Sequence, residues 1–206
     1  MLLLVSGASG VGKSMARVGA TALLDDTFDA VELWHLGPIP AVPTVAWRQQ
    51  QAEVAVQRAI ALEREGRHLL LAGDPVPAGE VLAAPSADAI DVAVCLLDAD
   101  EAAQTARLAE RREPPELLPL NLGFAAWMRR HAVDPSYVPE AVTNDAWPEM
   151  RWERWVGRPA DDSWRMTVVD TSSMPPEAVA EAVATWARDA VAGRAPVFRA
   201  GWHLSR

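Results

Sequence analysis

The chain has 206 residues, half of them hydrophobic, enough for one sizeable buried core in a single domain carrying at most a small inserted lid. Its net charge of −9 excludes a general nucleic-acid binder, which needs a broad basic face to displace counterions. One cysteine, Cys95, excludes an internal disulfide framework, and no apolar run reaches the length of a membrane span.

In chain order, MLLLV opens with an apolar run (2–5) that lacks a basic flank and enters a glycine loop, so it reads as a strand rather than a signal peptide. The expected location is cytoplasmic, with neither a membrane nor a nucleic-acid partner. A helical pattern follows over 13–24, then a mixed strand AVELWH (30–35). A long helix is predicted over 44–65, with Thr44 as N-cap and Gly66 as its stop. HLLLAG (68–73) and VAVCLL (92–97) read as buried strands, because continuous apolar character marks strands covered on both faces. A helix over 101–112 comes next. The stretch 113–163 has no strand, several prolines, four of the tryptophans (Trp127, Trp147, Trp152, Trp155) and predicted short helices at 121–132 and 147–155. RMTVV (165–169) reads as a last buried strand, and a helix over 176–192 begins at a proline. The terminal GRAPVFRAGWHLSR carries no readable element. Alternating strands and helices give a parallel α/β sandwich.

Residues 7–14, GASGVGKS, fit the phosphate-loop pattern G-x-x-x-x-G-K-[ST] at every fixed position. Gly7, Ala8, Ser9, Gly10, Val11 and Gly12 supply a backbone that can turn its N–H groups inward on phosphate oxygens, and the helix starting near Lys13 adds its positive dipole end. Lys13 reaches the β- and γ-phosphates, and the Ser14 hydroxyl is placed to ligate Mg²⁺. Lys13 is the only lysine in the chain; the other 18 basic side chains are arginines. A compact ammonium suits this loop where a broad guanidinium does not. Without a second lysine there is no N-K-x-D base-reading motif. The D-x-x-G switch motif and the LSGGQ signature are also missing, which excludes switch GTPases and ABC-type ATPases.

Asp74 stands just past the strand 68–73, where open α/β sheets place their ligands. It is a candidate Mg²⁺ ligand through water, or the base for a hydroxyl substrate, with a turn aspartate before proline as the plainer alternative. Glu32 and His35 are weaker candidates. Arg107 and Arg111 lie four apart, on one helix face, able to meet one anionic or planar ligand; a solvated surface paired with Glu110 and Glu113 is the alternative.

This order, a phosphate loop, then R-x-x-x-R-R after a strand and helix, then an insertion, resembles the adenylate-kinase-like and gluconate/shikimate-kinase-like P-loop phosphotransferases over about 1–112 and 164–192. The resemblance implies a three-layer P-loop NTPase fold with a five-stranded parallel sheet, as one domain over 1–206 with a helical lid or insertion at 113–163. It implies that Arg107 packs on the adenine of ATP, that Arg111 clamps phosphates as the lid closes, and that the loop at Thr171 lies beside the base. Arg129 and Arg130 would add to the lid. The acidic motif these kinases carry after the second strand is replaced by HLGPIPAVP, and Arg48 alone sits where an arginine gripping a nucleotide acceptor would lie. The expected function is therefore transfer of the γ-phosphoryl group of ATP to a small-molecule acceptor, with Mg²⁺ held by Ser14 and Asp74 and with Lys13, Asp74 and Arg111 as catalytic groups. The alternative is a nucleotide-binding regulatory protein whose Trp-rich insertion meets a partner. Oligomeric state has no signature in the sequence.

Overall fold

The computed structural model describes residues 1–73 and 75–204, so Asp74 lies outside the described residues. Five parallel strands form one sheet in the order β2-β3-β1-β4-β5: β1 (Leu2–Ser6), β2 (Phe28–Glu32), β3 (His68–Ala72), β4 (Val92–Asp98) and β5 (Thr167–Asp170). β1 is central, with Leu2 level with Leu69 on one side and Val92 on the other. The apolar runs dictate this placement: Leu2–Leu4, Leu69–Leu71 and Val92–Leu97 are almost wholly buried. Cys95 lies among them, and burial pushes its thiol up to about 12, leaving it inert at neutral pH.

The β1-to-β2 connection crosses the sheet in one direction and the three later ones in the other, so right-handed crossovers put the first and the rest on opposite faces. α1 (Lys13–Leu23) and α7 (Pro176–Val191) pack together on one face, and α2 (Val45–Glu63) and α3 (Ala78–Ala83) lie on the other, against β3 and β1. α4 (Glu101–Glu110), α5 (Leu118–His131) and the one-turn α6 (Glu140–Thr143) complete the helices among the described residues. The result is a three-layer α/β sandwich. The predicted Thr44 cap is present: its hydroxyl accepts from the Trp47 N–H at 3.1 Å.

Four expectations need correction. The second strand spans 28–32, not 30–35. Glu32 is the last residue with a β3 partner, Ala72, and Leu33–His35 therefore turn out of the ladder as a single 3₁₀ turn. The last strand is an edge strand, with Val168 half exposed, and not a buried one. The helix expected at 147–155 shrinks to a 3₁₀ turn at Trp152–Arg154, because the preceding backbone bonds elsewhere: Trp147 N–H donates to Gln49 Oε1 (2.7 Å) and Arg151 N–H to the Ala83 carbonyl (2.7 Å). The helix expected at 121–132 begins earlier, at Leu118, with Pro119 in its first turn. The terminal segment, unreadable in sequence, docks Phe198 antiparallel to Val92 and sets it against Trp164 and Trp202.

Candidate phosphoryl-transfer site

The glycine loop joins the end of β1 to the start of α1, at the sheet's C-terminal edge. Gly7 has φ +142°, and a Cβ there would strike the Leu97 carbonyl of the neighbouring strand. Gly12, at φ +99°, is the residue before α1, and no side chain caps that helix. Its first N–H groups therefore face the loop, and with the positive end of an 11-residue helix they form a ready anion cradle. Lys13 is 6% exposed and donates from Nζ to the Ala8 carbonyl at 2.7 Å, so its charge is held inside the loop. Ser14 sits exposed in the first turn, at the mouth. Ser6, ending β1, donates its hydroxyl to the Val76 carbonyl (2.7 Å) and ties the loop's root to the segment after β3.

A support for the loop that sequence reasoning missed comes from α4. Gln104 is fully buried, and its amide donates to the Ser9 carbonyl at 2.7 Å. Gly10 passes close beneath: a Cβ there would meet Leu108 and Gln104 at 3.1 and 3.3 Å. Gln104→Leu is expected to leave the Ser9 carbonyl buried without a donor, costing about 1–3 kcal/mol and loosening the loop. Urea midpoints and Mg·ATP affinity should both fall. An unchanged ATP affinity in a destabilised variant would restrict Gln104 to a structural role.

Arg107 and Arg111 part company. Arg107 bonds the Thr171 hydroxyl (3.0 Å) and carbonyl, and reaches the Ser172 carbonyl. The Thr171 hydroxyl donates in turn, its Oγ lying 3.1 Å from the Val11 carbonyl and 2.9 Å from that of Asp98. The two residues named from sequence thus lock the β5–α7 loop onto the glycine loop. Arg111, just past α4, is exposed and makes no ion pair among the described residues.

On the other side of β1, the end of β2 faces α1. Arg17, one turn beyond Lys13, pairs with Glu32 (Nε–Oε1 3.4 Å). Arg48 makes a two-pronged pair with Glu80, 2.8 Å from Nε and 2.6 Å from Nη2, and Glu80 is 0% exposed. Gln49 adds an amide to Glu80 (3.1 Å) and is itself fixed by Val142 and Trp147. Trp34 and Trp47 pack with ring centroids 4.9 Å apart and planes tilted by 35°, and the adjacent His35 is exposed.

Within the insertion, Trp127, Trp155 and Trp164 are buried core and surround His131, which stacks on Trp127 at 4.6 Å. Asp98, at the end of β4, takes Arg129 of α5 (3.1 Å); burial raises its pKa and the guanidinium opposes the rise. His131 is 2% exposed. Burial pushes it down to about 4 from 6.5; among the described residues neither ring nitrogen has a hydrogen-bond partner of good geometry, and the Pro135 backbone opposes the shift. As pH falls through 6.5 the unfolded chain takes up a proton that the folded chain refuses until about pH 4. Stability is therefore expected to drop across that window by up to about 3 kcal/mol, and His131→Phe should flatten this part of the profile in denaturation at stepped pH.

A groove of about 530 Å³ lies between β5, α7 and the chain beyond it, lined by residues such as Thr167, Trp186 and Arg194. No residue of the glycine loop lines it, so the loop's chemistry, not the groove's size, marks the candidate site. Among the described residues no helix is long and apolar enough to cross a membrane.

Sheet order, helix placement and the loop between β1 and α1 define a kinase-like α/β fold. No protein-family model matches the chain, and no curated protein matches it in sequence. Among solved structures it is similar to an unliganded sugar kinase from Janibacter sp. HTCC2649, at 16% identity over 93% of this chain and 96% of that one, with a TM-score of 0.58. It is also similar to an uncharacterized protein from Eubacterium ventriosum ATCC 27560, at 12% identity over 92% and 98% of the two chains, with a TM-score of 0.47. The likeness to the sugar kinase speaks for the fold.

Proposed function

We propose that the chain is an ATP-dependent phosphotransferase that moves the γ-phosphoryl group to a hydroxyl of a small molecule. The observation that carries this reading is the loop 7–14, whose glycines, uncapped helix start and buried Lys13 meet the demands of a triphosphate. The sugar kinase of like fold adds support. The loop N–H groups and Lys13 would hold the β- and γ-phosphates, and Ser14 would hold Mg²⁺ together with phosphate oxygens and water. Mg²⁺, when bound, neutralises charge on the transferring group. Arg107 and Thr171 keep the loop on the base side rigid, and Arg111, which makes no ion pair among the described residues, would meet phosphate charge from the end of α4.

In the transfer the acceptor oxygen gains the bond to the γ-phosphorus and the bond from that phosphorus to the β–γ bridging oxygen breaks, releasing ADP. The hydroxyl proton passes to a carboxylate of the cleft, the role assigned to Asp74, with Glu32 at the end of β2 next to it in order. The test is ATP turnover by the purified protein with Mg²⁺ against a mixed panel of nucleosides, nucleotides, sugars and antibiotics, with products weighed. A panel member that releases ADP and gains one phosphoryl group supports the reading. Tight ATP binding with slow hydrolysis that no panel member stimulates would instead indicate a nucleotide-binding regulatory protein.

A further inference from the structure

Resting on the phosphotransferase reading, we infer that the acceptor carries no negative charge: it is an uncharged hydroxyl compound, not a carboxylate or an already phosphorylated molecule. Two guanidinium groups flank the C-terminal ends of β2 and β3, where an acceptor would approach Lys13, and both are committed to carboxylates. Arg48 gives Nε and Nη2 to Glu80, whose side chain has no exposed surface. Turning Arg48 toward an anionic ligand would strand a full charge in the interior, with only the Gln49 amide beside it. Gln49 cannot follow, because Val142 and Trp147 hold its other groups. Arg17 faces Glu32, and both are largely buried.

These four groups sum to zero charge, so an anionic acceptor entering here would find both guanidiniums already committed and no net positive charge among the four to offset its own. Arg111, Arg112 and Arg130, between the end of α4 and α5, are among the guanidiniums that make no ion pair among the described residues. Trp34 and Trp47 add apolar ring faces to the acceptor side, suited to a cyclic molecule.

The experiment compares hydroxyl compounds in matched forms: neutral sugars with their sugar acids and sugar phosphates, and nucleosides with their monophosphates. Each is supplied to the intact protein with Mg·ATP, and products are weighed. In a matched set the uncharged member is expected to have kcat/KM higher by about tenfold or more. An acid or phosphate that is turned over as well as its neutral counterpart overturns the inference and leaves the phosphotransferase reading standing. No phosphorylated product from any member overturns both. In Glu80→Gln the Arg48 charge loses its counterion, and the neutral-to-anionic ratio should fall by about tenfold. A folded Glu80→Gln protein with the wild-type ratio overturns the assignment of Arg48 and Glu80. Should that variant not fold, the matched series on the wild-type protein decides by itself.

Discussion

Lys13→Ala is expected to lower Mg·ATP turnover by ~10²–10³-fold, the scale of losing one preorganised donor to developing negative charge in a water-poor site. The amine is already buried in the loop and donates to Ala8, so little reorganisation separates its resting position from the phosphates. Lys13→Arg should be nearly as inactive. The guanidinium is broad, and the loop is packed so closely that even a Cβ on Gly7 would strike the Leu97 carbonyl. Initial rates and fluorescent-nucleotide binding, with circular dichroism to confirm the fold, decide the matter. Wild-type turnover in either variant would remove Lys13 from the chemistry.

The second large effect is on stability. Arg48→Ala leaves the Glu80 carboxylate buried with one amide for company, and the expected loss is ~3–5 kcal/mol, read as a lowered urea midpoint at unchanged slope. Replacing both members together, Arg48→Met with Glu80→Leu, should recover most of that loss, because the desolvation cost of both charges disappears with them. If the single variant lost less than ~1 kcal/mol, as an exposed pair would, the Arg48–Glu80 pair would not be acting as a buried one.

The strands of this fold were legible because each is a nearly unbroken apolar run, and the loop because its spacing is fixed by the shape of a phosphate. Segments whose partners lie far off in sequence were not. α3 is six residues long and buried on every side, so it has no amphipathic period to read. Trp147 and Arg151 look helical until their N–H groups are spent on Gln49 and Ala83. Gln104 resembles any polar residue on a helix; its meaning appears only when α4 sets it against Ser9, 95 positions earlier. Glu80 reads as an ordinary helix glutamate, and only the packing of α2 on α3 reveals it as the counterion of Arg48. Arg107 and Thr171 were both picked out from sequence, each for a nucleotide; that they hold each other is a property of the fold.

The solitary lysine also gives the loop a chemical address. With no other side-chain amine in the chain, an amine-selective label carried on a nucleotide analogue has a single side chain to acylate. The mass of one peptide would then report how fully the cradle is filled, and its protection by unlabelled competitors would rank nucleotides on the native sequence, with no substitution introduced.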